Sequence, residues 1–124
     1  MSGSGGSILY LDDEEPLVFL VTRLLKQLGY EPSGFTDSAQ ALAAFKSDPS
    51  KFILVLTDLS MPGASGLDFA QEVLTLSPGS RVAILTGHVE AAAVTRATAM
   101  GIRAVVQKPL TIEELRPVIQ QLLM

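Results

Sequence analysis

Five short strand-like runs, Ile8–Leu11, Glu31–Phe35, Phe52–Thr57, Val82–Thr86 and Ala104–Gln107, alternate with stretches of helical periodicity. That alternation constrains the fold more than any other feature. Strands separated by 10–15-residue helical patterns suggest βαβ crossovers and a parallel sheet. Each run reads as too apolar to leave one face wet, so helices are expected to cover both faces. The sequence therefore predicts one α/β domain, a small doubly wound sandwich of five strands and five helices.

Local signals place the helices. The first starts near Glu14 or Glu15, with Pro16 in its first turn, and ends before Gly29. The second, about Ser38–Ser47, has Asp37 as its cap and Gln40 at the capping-box position. The third spans about Gly66–Leu76, and the fourth about Val89–Met100, closing at Gly101. The fifth starts at Thr111, with Glu114 completing a capping box. Pro117 conflicts with that last pattern, because it removes a backbone hydrogen bond beyond the first turn. A kink or a delayed start is expected there.

Composition removes several function classes. The 124 residues include no cysteine and one histidine, which excludes disulfide scaffolds, thiol chemistry and histidine clusters. Thirteen acidic against nine basic residues give a net charge of −4, which argues against nucleic-acid binding by this segment. No apolar run approaches the roughly 18 residues of a membrane helix, so no membrane insertion is expected. Residues 1–7, Met-Ser-Gly-Ser-Gly-Gly-Ser, read as a flexible leader of the kind added for expression, and 8–124 as the folded domain.

Sites in doubly wound sheets lie at the carboxyl ends of the strands. Those ends carry Asp12, Asp13, Glu14 and Glu15 after the first strand, Asp58 after the third, Thr86, Gly87 and His88 after the fourth, and Lys108 and Pro109 after the fifth. Three neighbouring carboxylates, Asp12, Asp13 and Asp58, would repel one another and raise a pKa unless a hard cation joined them. Oxygen ligands with room for a phosphate suit Mg²⁺. Lys108 and Thr86 add an ammonium and a hydroxyl for phosphoryl oxygens, and Asp58 is placed as the nucleophile that forms an acyl phosphate. Glu14 and Glu15 read as ordinary charges at a helix N-terminus. Met61 and Pro62 read as loop-shaping residues, and Tyr10 and Phe35 as core.

The motifs Leu9-Tyr10-Leu11-Asp12-Asp13-Glu14, Leu56-Thr57-Asp58-Leu59-Ser60-Met61-Pro62-Gly63, Ile84-Leu85-Thr86-Gly87 and Gln107-Lys108-Pro109-Leu110, with Gly66, stand in order at strand ends. Together they make the chain resemble a response-regulator receiver domain of two-component signalling, over about Ile8 to Leu123. The resemblance implies a flavodoxin-like (βα)5 fold with strand order 2-1-3-4-5. It implies that Asp58 is the phosphoacceptor, and that Asp13 binds Mg²⁺ directly and Asp12 through water. The Ser60 backbone carbonyl would complete the metal site, and Thr86 and Lys108 would contact the phosphate. The bond before Pro109 would be cis, and Ser60 and His88 would tune the lifetime of the phosphate. The implied partner is a histidine kinase or histidine phosphotransfer domain in the cytoplasm, with a homodimer left open. The domain would catalyse its own phosphorylation and dephosphorylation without being an enzyme in the usual sense.

One position departs from the family pattern. Its usual aromatic residue, three before the lysine, is Val105, and Ala104 and Val106 offer no ring either. The threonine–aromatic coupling of the family therefore lacks its ring here. A phosphorylation-independent pseudo-receiver is the alternative. An aspartate-nucleophile phosphatase would need an acid where Ser60 stands, and a flavin binder would need a Gly/Ser/Thr-rich loop in place of Asp-Asp-Glu-Glu. The domain is read as stand-alone or as a piece of a hybrid sensor kinase or longer regulator.

Overall fold

The computed structural model describes residues 6–61 and 64–124, with the backbone alone at Ser60, Met61 and Ala64. Its elements run β1 (Ser7–Leu11), α1 (Glu15–Gln27), β2 (Glu31–Phe35), α2 (Ser38–Ser47), a 3₁₀ turn (Pro49–Lys51), β3 (Phe52–Asp58), β4 (Ser60–Met61), β5 (Ala64–Ser65), α3 (Gly66–Leu76), β6 (Val82–Thr86), α4 (Ala91–Met100), β7 (Ala104–Gln107) and α5 (Ile112–Leu122). Five strands form one sheet in the order β2-β1-β3-β6-β7, all parallel. This is the expected 2-1-3-4-5 order.

The two-residue period of the strands divides the core. Ile8 and Tyr10, Leu54 and Leu56, and Ala83 and Leu85 point to one face, where Val21, Leu24 and Leu25 of α1 and Leu115, Ile119 and Leu122 of α5 cover them. Leu9 and Leu11, Val55, and Val82 and Ile84 point to the other. There they meet Ala41 and Phe45 of α2, Phe69 and Val73 of α3, and Ala97 of α4. Pro32 sits in β2, an edge strand, where a missing N–H is tolerated. Gly34 in the same strand lets α1 close in, since a Cβ there would lie 2.5 Å from Val18 Cγ1.

Four local expectations need correction. Ser7 belongs to β1, paired with Glu31 and Phe52, and not to a leader. The fourth helix starts at Ala91 and not Val89, because Glu90 is still extended (φ −117°, ψ 142°). The fifth helix begins on time and runs through Pro117. Pro117 and Glu113 are both exposed, so water can take the carbonyl that the proline leaves unpaired, while buried Leu115, Ile119 and Leu122 anchor the helix. The capping boxes are incomplete. Asp37 accepts from the Ala39 N–H and Thr111 from the Glu114 N–H, but the Glu114 carboxylate reaches the Leu110 N–H, 2.8 Å away.

The β4–β5 hairpin, Ser60↔Ser65 and Met61↔Ala64, was not expected. It returns the chain so that the Gly66 N–H donates to the Leu59 carbonyl at 2.8 Å.

Candidate phosphoacceptor and metal site

The register of the sheet assembles the site. Leu11 lies opposite Thr57, Asp58 opposite Leu85, and Thr86 opposite Gln107. The residues at and just beyond these pairs, Asp12, Asp58, Thr86 and Lys108, therefore meet along one edge. The Lys108 N–H donates to the Thr86 carbonyl at 2.8 Å, which extends the β6–β7 ladder and aims the lysine across the sheet.

Lys108 Nζ lies 2.9 Å from Asp12 Oδ2, 3.3 Å from Asp58 Oδ1 and 3.7 Å from Glu14 Oε1. Glu14 thus reaches the lysine besides standing at a helix start. It is exposed, and such a rim pair adds little energy. The peptide bond before Pro109 is not cis, contrary to expectation, as no cis bond occurs among the described residues. The trans form is the intrinsically favoured one. The β6–β7 hydrogen bond already delivers Lys108 to both carboxylates.

Asp12 is fully buried and both of its oxygens are engaged. Oδ1 accepts from the Glu14 N–H at 3.0 Å, and Oδ2 accepts from the Tyr10 hydroxyl at 2.7 Å as well as pairing with Lys108. Sequence reasoning placed Tyr10 in the core and missed this bond. The signal was available. Residues two apart in a strand share a face, and a buried tyrosine hydroxyl needs a partner. Burial first, then the hydrogen bond to Asp12, hold the Tyr10 phenol far above its ordinary range, so it remains a donor.

Asp58 is buried, and Leu59 N–H donates to its Oδ1 at 2.8 Å. With Lys108 also at Oδ1, Oδ2 takes no hydrogen bond among the described residues. Burial, reinforced by the charge of Asp12, raises the Asp58 pKa above its usual value despite Lys108 and the Leu59 N–H. For Lys108 burial acts to lower the pKa, but the Asp12 and Asp58 carboxylates outweigh it and the value is raised. The ammonium is therefore charged at neutral pH.

Gly66 backs Asp58. A Cβ there would lie 1.7 Å from the Asp58 carbonyl oxygen, so no other residue fits without moving β3 or α3. Thr86 is buried, and its hydroxyl donates to the His88 carbonyl at 3.2 Å while accepting from the His88 N–H at 3.4 Å. The His88 side chain is exposed. The expectations for the Ser60 side chain, Pro62 and Gly63 fall outside the described part of the structure.

One carboxylate oxygen from each of Asp12, Asp13 and Asp58 lies within 4.8 Å of the others, with Asp13 exposed and the other two buried. This all-oxygen set fits a hard divalent cation such as Mg²⁺.

Residues 8–120 match the family model described as the response regulator receiver domain. The chain is 32% identical over 117 residues to the Rhizobium etli protein named "Probable chemotaxis protein CheY", covering 91% of this chain and 88% of that protein. It is 28% identical over 109 residues to the C4-dicarboxylate transport transcriptional regulatory protein DctD of Rhizobium meliloti, spanning 88% of this chain but only 23% of that protein. A solved response regulator receiver domain protein from Clostridium thermocellum superposes with a TM-score of 0.86 at 30% identity, over 95% of this chain and 94% of that one.

Proposed function

Because this chain belongs to the response regulator receiver domain family, we propose that it is a signalling module in which Asp58 accepts a phosphoryl group from a phosphohistidine or a small phosphodonor. The observation that carries this reading is the convergence of Lys108 on Asp12 and Asp58, beside a three-carboxylate cluster. Asp58 Oδ2, the oxygen without a hydrogen bond among the described residues, forms a bond to phosphorus as the P–N bond to the donor imidazole breaks. The electron pair leaves on the imidazole nitrogen, which takes up a proton, and an acyl phosphate remains.

Asp12, Asp13, Asp58 and the Ser60 backbone carbonyl would hold Mg²⁺, which would supply positive charge to the carboxylates and the phosphoryl oxygens. Lys108 gives up its contacts with Asp58 Oδ1 and Asp12 Oδ2 for a phosphoryl oxygen. The Thr86 hydroxyl exchanges the His88 carbonyl for another, and so couples the β6–α4 turn to the modification. Val105 is partly buried against the α2–α3–α4 core and carries no ring to turn inward. Output in this chain runs through the turn itself. Ser60 and His88, two positions beyond Asp58 and Thr86 in the sequence, set the lifetime of the acyl phosphate. Ser60→Ala and His88→Ala both leaving the dephosphorylation rate unchanged would remove that role.

The partner of this reading is a histidine kinase or histidine phosphotransfer domain in the cytoplasm. No helix among the described residues is long and apolar enough to cross a membrane. A longer signalling protein is a natural context, since the Escherichia coli sensor protein EvgS matches this chain over only 10% of its length, at 29% identity.

Intact mass after incubation with acetyl phosphate and Mg²⁺ tests the proposal. One added phosphoryl group in the wild type, absent in Asp58→Ala and absent without Mg²⁺, is the expected result. No gain, together with no beryllofluoride binding, would leave a phosphorylation-independent interaction module as the better reading.

A further inference from the structure

The hydroxyl of Tyr10 is a polar group of this site that the proposed chemistry does not use. It lies on the α1–α5 face of the sheet, fully buried, and donates to Asp12 Oδ2 at 2.7 Å. That same oxygen carries the Lys108 ion pair at 2.9 Å. Asp12 Oδ1 is separately held by the Glu14 N–H. The buried carboxylate therefore has one partner that can leave, the lysine, and two that stay.

We propose that Tyr10 is a positioning residue for the acidic site: it holds the Asp12 carboxylate in place beside Asp13 and Asp58, and it keeps Oδ2 hydrogen-bonded when Lys108 departs for a phosphoryl oxygen. This rests on the phosphoacceptor reading above. The physical reason is the high cost of a buried charged oxygen without a partner. With Tyr10 in place, Asp12 Oδ2 keeps a hydrogen bond through the exchange. Without the hydroxyl, Asp12 depends on Lys108 alone at that oxygen. The lysine is then harder to release, and the carboxylate is less well oriented for a cation. Partners of this kind, which touch a ligand residue and not the metal, commonly change metal affinity by roughly 10–100-fold.

The test is Mg²⁺ and beryllofluoride affinity of Tyr10→Phe by calorimetry, beside Ile119→Val, a change on the same core face that removes no polar group. The expected result is a Kd for each ligand weakened roughly ten-fold in Tyr10→Phe, with Ile119→Val unchanged. A Tyr10→Phe value within about two-fold of wild type, or equal weakening in both variants, overturns the proposal. Failure of the wild type to bind Mg²⁺ at all overturns the phosphoacceptor reading first. Should Tyr10→Phe not fold, Tyr30→Phe provides a second measurement, because it leaves Tyr10 as the only tyrosine in a chain without tryptophan. Beryllofluoride should then shift its near-ultraviolet absorbance as Lys108 leaves the shared oxygen. An unchanged spectrum at saturation overturns the proposal.

Discussion

Lys108 is bound more closely to Asp12 than to Asp58, at 2.9 Å against 3.3 Å, so the lysine beside the proposed phosphoacceptor rests more tightly on the neighbouring carboxylate. One ammonium thus compensates two buried carboxylates, and its contact with Asp58 is the looser one.

Removing that ammonium should be costly. Lys108→Met leaves Asp12 and Asp58 buried without a counter-ion, and breaking a buried pair this way costs about 3–5 kcal/mol. Urea unfolding in EDTA should show the loss. Saturating Mg²⁺ should recover part of it, because a cation takes over the compensation. Equal stability of the variant and the wild type in EDTA would contradict this account of the site.

The raised pKa of Asp58 has a sign that can be checked. Its proton is held more tightly in the folded state than in the unfolded one, where the value is near 3.8. In the window above 3.8 the folded state therefore binds more protons, and stability falls as pH rises through the folded value. Asp58→Asn abolishes that term. In EDTA it should melt above the wild type at neutral pH, with the gap closing as pH falls toward 3.8. A variant that melts below the wild type at pH 7 would show that the Lys108 contact outweighs burial and the Asp12 charge.

Phosphorylation should follow the same group. The rate with acetyl phosphate should fall as Asp58 protonates, at a pH above the ordinary 3.8 of a carboxylate and not at it. A pH–rate profile at saturating Mg²⁺ and one that is substoichiometric separates the two influences. The metal should move the acid limb downward, since it favours the ionised form.

Gly66→Ala should be among the most damaging single changes outside the charged cluster. Its Cβ would fall 1.7 Å from the Asp58 carbonyl oxygen, so backbone must move. Overpacking costs about 1–3 kcal/mol, occasionally more, and a clash with backbone puts this change at the upper end. Melting temperature and acetyl phosphate reactivity should drop together, because the displaced backbone carries Asp58, the proposed phosphoacceptor. Wild-type behaviour in both would refute the clash.

Thr86→Ala should separate acceptance of phosphate from its consequence. Asp58 keeps its lysine and its cluster, so the intact mass should still rise with acetyl phosphate. The amide resonances of Gly87 and His88 should lose most of their response to beryllofluoride, because the hydroxyl that bridges to the His88 turn is gone. A response equal to that of the wild type would mean that the turn is moved by another route.

Alternation of apolar strand runs with helical periodicity was enough to specify the layered fold, since both depend on short-range patterning and on the need to bury strand faces. The chemical residues were legible because the carboxyl ends of parallel strands come together whatever the details of packing. Asp12, Asp13, Asp58, Thr86 and Lys108 could thus be placed from chain order alone. The β6–β7 register then decided how Lys108 is aimed, without the cis bond expected before Pro109. Tertiary packing also decided that Pro117 stays inside α5, because Glu113, whose carbonyl the proline leaves unpaired, is exposed while Leu115, Ile119 and Leu122 anchor the helix. The sharing of one lysine between two carboxylates and the approach of Gly66 to the Asp58 carbonyl are distances between elements. Periodicity along the chain carries no such information, because it specifies which face a side chain occupies and not how near its neighbour stands.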